Sequence, residues 1–286
     1  MFTQIILSGI FLGLIYVLIS LGLSLIYGVM GITNFANGDF LSLAMYCALT
    51  FSLYLGLDPL LSLPLVVMAL ALFGIVVYWL VIRHVLKASK MAQIFVTFGI
   101  MIFLRGILQF IFTADFQKIA NPLLDGTVNL FGASIGKAQA VAALGALIAT
   151  TAVYLFISKT RVGWALQAVS ENKDAASLMG IPSEKMFTLA WAIGAACVGA
   201  AGALMSEYYY IYPEVGSIFG SIAIVIVALG GFGSISGVFI AGLLIGMTEV
   251  VCGFYISTAY KYLFVYALYF VFMVVRPQGI MGKKEI

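Results

Sequence analysis

The chain has 286 residues, 64% of them apolar and 9% charged, with a mean hydropathy of +1.16 and a formal net charge of +3. So little polar surface cannot coat a soluble globule of this size, and the bilayer has to act as its solvent. The modest charge calls for no nucleic-acid partner, and Cys47, Cys197 and Cys252, scattered through apolar runs, form neither a disulfide framework nor a metal cluster.

Apolar runs fall at 5–27, 35–56, 60–82, 92–113, 139–158, 186–206, 218–232, 237–254 and 260–275. A helix crossing the hydrocarbon core takes about 20 residues, with about 17 to 25 tolerated. Two of the runs are shorter, and 218–232 suits a half-helix or one limb of a broken hairpin. The expectation is an all-α, polytopic membrane protein of eight or nine transmembrane helices, with broken or re-entrant segments, forming one domain over 1–286. Met1 to Gln4 lacks a basic region and the first run is span length, so no removable signal peptide is expected.

The first interruption is GITNFANGDF at 31–40, where Thr33, Asn34, Asn37 and Asp39 separate two runs that would otherwise merge. Backbone that leaves the helix at membrane depth must be enclosed by protein or face a water-filled cavity. Asn and Asp also suit a helix start near 35–40. The segment reads either as a broken helix lining a substrate route or as an ordinary cytoplasmic turn.

Arg105 lies well inside its run, and an intramembrane charge is costly enough to mark a site or a structural pair. Beyond it, the polar stretch 160–185, TRVGWALQAVSENKDAASLMGIPSEK, is far longer than a connection between two spans requires. Gly180 suits the left-handed residue that ends a helix and Pro182 prevents continuation, which predicts a short helix, a sharp corner and re-entry near Met186. GGFGSISG at 230–237 divides the next apolar stretch. The four-residue spacings Gly233/Gly237 and Gly242/Gly246 favour close helix packing, with a lining role as the alternative. Glycine-rich breaks at 31–38 and 230–237, one in each half, fit an internally repeated transporter. Glu249, late in its run, reads as a side chain snorkelling to the interface, and the tail RPQGIMG at 276–282 as a basic flank that stops transfer.

Ten of the 14 Lys and Arg residues (Arg83, Lys87, Lys90, Lys159, Arg161, Lys173, Lys185, Arg276, Lys283 and Lys284) fall on one side under alternating topology, which is the cytoplasm by the positive-inside rule. Lys118, Lys137 and Lys261 fall on the other. Nine spans then put the amino terminus outside and the 160–185 loop in the cytosol. GASIGKA at 132–138 is no nucleotide loop, having three rather than four residues between its glycines and Ala after Lys. HExxH is absent, and His84, the only histidine, sits beside Arg83 in a cytoplasmic loop, which disfavours an intramembrane enzyme.

Asp174-Ala175-Ala176, three residues and Gly180 resemble the EAA motif of ABC importer permeases, with Asp174 in place of the usual Glu. Together with NFANGDF at 34–40, GGFGSISG at 230–237 and RPQGIMG at 276–282, the stretch SENKDAASLMGI at 170–181 resembles the signature segments of branched-chain amino-acid ABC permeases. The four occur in order over essentially the whole chain, and its length is similar to the H-type subunit rather than the longer M-type. Asn37 departs from the pattern, where His or another polar residue is expected in many relatives.

The resemblance implies a permease subunit in a bacterial or archaeal cytoplasmic membrane, working with a second, M-type permease subunit, two cytosolic ATPase subunits and a periplasmic or lipid-anchored binding protein. It implies no cofactor on this chain, with ATP and Mg held by the ATPases. The loop at about 159–186 would be the coupling element, with Glu171, Asn172 and Asp174 making polar contacts, Ala175 and Ala176 permitting close packing, and Gly180 setting the turn. A zwitterionic substrate needs amides, hydroxyls or helix ends beside an apolar wall, for which Asn34, Asn37, Asp39, Ser42, Ser234 and Ser236 are the candidates. A same-family importer of urea, short amides or aromatic acids remains open, as does an ion-coupled secondary transporter using Arg105, Asp39 or Glu249.

Overall fold

The computed structural model describes residues 2–119, 124–130 and 132–282. Its helices are α1 (Phe2–Met30), α2 (Asn37–Leu55), α3 (Pro59–Val77), α4 (Arg83–Val85), α5 (Lys90–Phe112), α6 (Lys137–Lys159), α7 (Arg161–Glu171), α8 (Lys173–Leu178), α9 (Ser183–Met205), α10 (Val215–Gly230), α11 (Ile235–Tyr255) and α12 (Lys261–Val275). A π turn, Tyr78–Ile82, joins α3 to α4, so that Pro59–Val85 runs as one span. Among the described residues seven helices are long and apolar enough to cross a membrane, and α10 and α12 are shorter apolar helices. An antiparallel hairpin, β1 (Thr127–Leu130) with β2 (Ala133–Gly136), precedes α6.

Local chemistry sets the ends. Gly56 terminates α2 at φ 63°, a left-handed conformation that suits glycine. Asp58 then caps α3, its carboxylate accepting the Leu60 N–H, and Pro59 fills the first helical position, where no N–H is needed. Ser89, Asn172 and Ser234 cap α5, α8 and α11 in the same way.

The packing has an internal symmetry. α1 lies against α11 as α3 lies against α9, and α2 and α10 cross at the centre. Small residues allow each approach: a Cβ on Gly246 would collide with Gly13, one on Gly199 would press on Leu70, and one on Gly74 would press on Ala195 and Trp191. Gly242 packs on Val17, Gly237 on Gly230 and Gly233 on Gly28, so the 230–246 glycines serve close packing. The correspondence α1 to α9, α2 to α10, α3 to α11 and α5 to α12 equates the break at 31–36 with 206–214, and the short turn 56–58 with 231–234. This corrects the pairing of 31–38 with 230–237 expected from composition: both are rich in glycine, but only packing partners reveal which breaks correspond.

Contacts between Gly28 and Gly233, and between Arg83 and Glu184 at 3.5 Å, gather the end of α1, the end of α4 and the starts of α9 and α11 at one end of the bundle. The tail joins them. Ile280 N–H donates to the Leu229 carbonyl at 2.8 Å and Met281 N–H to the Gly230 carbonyl at 3.0 Å, while Gly279 sits so close to Gly231 that no side chain fits. The tail is thus docked onto the end of α10, not a simple basic flank. Lys283 and Lys284 lie outside the described residues. At the opposite end, Gln117 and Ile211 exchange backbone hydrogen bonds and Gln4 reaches the Ser134 carbonyl.

Candidate translocation and coupling sites

The break at 31–36 sits deep in the molecule. Asn37, the first residue of α2, donates from its side-chain amide to the carbonyl of Ile19 at 3.3 Å, so α2 starts beside the middle of α1, not its end. At about 1.5 Å per residue, the chain has climbed back roughly 16 Å from Met30 before α2 begins. Thr97 in α5 confirms the depth by donating to the Thr33 carbonyl at 3.2 Å. The segment is therefore non-helical backbone enclosed by protein at membrane depth, not a cytoplasmic turn.

Asn34, Asn37, Asp39 and Ser42 come together there, all at most 2% exposed. The start of α10 meets them: Gly216 N–H donates to Ser42 Oγ at 2.9 Å, and Gly38 and Gly216 touch backbone to backbone. Two helix amino termini thus converge in the interior, both broken out of longer spans. Asp39 is not isolated, since Arg105 Nε donates to its Oδ1 at 3.2 Å. Ser234 and Ser236 lie elsewhere, at the start of α11; Ser234 caps that helix by accepting the Gly237 N–H and Ser236 is exposed.

A second buried ionic group is centred on Glu249, whose place late in its run suggests an interfacial side chain. Glu249 is 3% exposed, accepts from the Tyr16 hydroxyl at 2.5 Å and pairs with Lys261 Nζ at 2.7 Å. It does not snorkel, because α1 and the start of α12 enclose it. Lone charges of opposite sign in different spans were the available signal for Asp39 with Arg105 and Glu249 with Lys261. Nothing in the sequence pointed to Tyr16.

The 160–185 stretch folds as two helices. Thr160 caps α7 by accepting the Gly163 N–H at 3.0 Å, and Gly163, Leu166 and Val169 form its buried face. Asn172 accepts the N–H groups of Asp174 and Ala175, both at 3.0 Å, to start α8. Gly180 has φ 81° and Ile181 N–H closes onto the Ala176 carbonyl, which is the predicted corner. Glu171, Asp174 and Ala175 are exposed. Ala176 points the other way: it is 5% exposed and packs with Leu25, Val29, Leu166 and Ala190 of its own chain, so only Ala175 offers a small outward surface. The unforeseen feature is Leu178 and Met179, 88% and 83% exposed at the tip of the corner.

Broken helices enclosing a polar centre at membrane depth, with a structured polar loop at one end, define a polytopic transport permease. The profile of the family described as "branched-chain amino acid transport system / permease component" matches residues 5–273, and the chain belongs to that family. It is 31% identical to the high-affinity branched-chain amino acid transport system permease protein LivH of Salmonella typhimurium, over 100% of this chain and 97% of the relative. A probable branched-chain amino acid transport permease protein LivH of Methanocaldococcus jannaschii is 30% identical over 85% of this chain and 79% of its own length. The LivM permease protein of Escherichia coli is 25% identical over 94% of this chain and 68% of its own. No solved structure matches the chain. The protein is a multi-pass permease of the inner membrane, and its class is transport rather than catalysis.

Proposed function

We propose that the chain forms half of the pore of an ATP-driven importer of branched-chain amino acids, as a single permease domain whose α7–α8 loop couples it to ATPase subunits. Full-length similarity to LivH, a branched-chain amino acid permease, is the observation that carries the substrate class. The similarity to LivM supports a second permease chain as partner. ATP and Mg would be held by two cytosolic ATPases, and a periplasmic or lipid-anchored protein would deliver the substrate.

Coupling rests on the corner after α8. Two large apolar side chains held out of a polar loop, away from the bilayer, suit insertion into an apolar recess on a partner. Leu178 and Met179 would fill that recess while Glu171, Asp174 and Ala175 contact its rim and Gly180 holds the corner. Asn172 would act from within the chain, as the cap of α8. ATP-driven movement of the ATPases would then displace the loop, and the loop would shift the bundle only because it binds differently in the two states. In this reading Asn34, Asn37, Asp39 and Ser42 form the interior polar centre past which the substrate moves, while Ser234 and Ser236, apart from it at the start of α11, line only the cytoplasmic end of the path.

The test is reconstitution of the chain with its neighbouring-gene partners and measurement of ATP-dependent uptake of labelled leucine, with urea and phenylalanine as competitors. Uptake competed by isoleucine and valine supports the reading; ATP-independent uptake that follows an ion gradient would replace it with the secondary-transporter alternative.

A further inference from the structure

Asp39 answers Arg105 through one nitrogen only. Arg105 Nε donates to Asp39 Oδ1 at 3.2 Å, the one hydrogen bond that its guanidinium makes among the described residues, and its side chain stays 26% exposed. The donors on both Nη atoms are therefore left over. α5 runs from Lys90 to Phe112, and at about 1.5 Å per residue Arg105 lies roughly 10 Å short of its outer end. That depth is inside a hydrocarbon core about 30 Å thick. Lipid tails accept no hydrogen bonds, so this side of α5 has to meet water, a ligand or the partner chain.

The neighbouring side chains give the exposed guanidinium a chemical context. Gln109 follows Arg105 by one turn on the same side of α5, is exposed, and its amide bonds to none of the described residues. Leu104 and Leu108, which anchor α5 to the bundle, lie on the other side of Arg105. Glu214, the exposed residue that precedes α10, is near enough for its charge to act on Asp39. An outward planar fork with an amide beside it suits a carboxylate, and a nearby exposed acid suits an ammonium group.

We propose that Arg105, through its Nη atoms, and Gln109 hold the α-carboxylate of an amino acid in transit, with Glu214 receiving its ammonium group. Asp39, 2% exposed, cannot reach the substrate itself; it holds Nε from behind and fixes the direction of the fork. The site opens on the outside of this chain because half of a pore carries only one wall of the path. The identity of the cargo rests on the function proposed above, whereas the exposed donors at membrane depth do not.

The test uses the complete transporter in nanodiscs during ATP turnover, without its binding protein, with Cys47, Cys197 and Cys252 replaced by alanine and with Ile102→Cys as the probe. Ile102 is 56% exposed and lies one turn before Arg105. A water-soluble, membrane-impermeant thiol reagent should label Ile102→Cys. Leucine should slow the labelling, and isoamylamine, which is leucine without its carboxylate, should not. Asp39→Asn combined with Arg105→Met leaves neither charge stranded; labelling should persist there, while the leucine concentration for half protection rises at least about tenfold, as expected when hydrogen bonds to a charged group are lost. Gln109→Ala should raise it several-fold. Absence of labelling would mean that lipid or the partner chain covers this side of α5, and protection by isoamylamine, or protection unchanged in the double variant, would put leucine elsewhere; each overturns the proposal. If the parent complex with its binding protein imports no leucine, the proposed function fails instead, and protection by leucine that depends on Arg105 still supports the carboxylate site.

Discussion

At the scale of single residues, the buried charges carry the sharpest expectations. Asp39 has a side chain 2% exposed and depends on Arg105, itself 26% exposed, for its compensation. Arg105→Met strands the carboxylate and should destabilise the protein by about 2–4 kcal/mol, somewhat below the 3–5 of a fully enclosed pair. Asp39→Asn combined with Arg105→Met should recover most of that loss, as read by thermal melting in nanodiscs. A double variant no more stable than the single would mean that the pair is not coupled. Glu207 follows a different logic. It lies in the 206–214 break, 4% exposed, and burial first, with Asp58 beside it second, pushes its carboxyl from an ordinary 4.5 up to about 8. Between those two values the unfolded chain has released a proton that the folded chain keeps. Stability therefore falls as pH rises from about 5 to about 8 and levels off above that. Glu207→Gln removes the ionisation, and its melting temperature should vary less over this window than that of the wild type; parallel curves would show that Glu207 is not the titrating group.

At the scale of elements, the corner after α8 separates what the sequence revealed from what it hid. Asn172, Gly180 and Pro182 act through backbone geometry within a few residues, so the short helix and its sharp end were readable directly. Which face of α8 turns outward depends on Leu25, Val29 and Ala190, distant in sequence, and that is why Ala176 was misassigned and Leu178 and Met179 passed over. Their exposure gives a test: Leu178→Ser with Met179→Ser should weaken co-purification of the ATPase subunits at least about tenfold, since buried apolar anchors contribute on the order of 1–2 kcal/mol each or more. The permease itself should melt at its usual temperature, because neither side chain packs against its own fold. Retention of the ATPases at normal yield would return the contact to Glu171 and Asp174. Glu249 is the parallel case in a span: its position near the helix end was legible, but the Tyr16 and Lys261 side chains that enclose it come from two other helices.

At the scale of the whole molecule, hydropathy located the apolar helices found among the described residues because length and composition alone decide that property, yet it could not say that α2 and α10 start inside the bundle. That follows from their meeting point, where Gly38 and Gly216 pack backbone to backbone at the centre of the paired halves. Repeats in transporters commonly rock against one another about a central site, and here the crossing has to stay narrow for both broken helices to reach it. Gly216→Ala tests that requirement, since its Cβ would strike the Gly38 carbonyl, and backbone on both sides cannot yield as a flexible side chain would. The expected cost is about 1–3 kcal/mol, the usual range for overpacking, together with a loss of transport larger than the loss of folded protein. Gly106→Ala is the matched control: it lies in α5, its added methyl meets nothing within 4 Å, and it should leave stability unchanged or raise it by about 0.5–1 kcal/mol through helix propensity. If both substitutions are equally harmless, α2 and α10 do not hold their close approach in the membrane, and the two halves must pivot somewhere other than the Gly38 and Gly216 crossing.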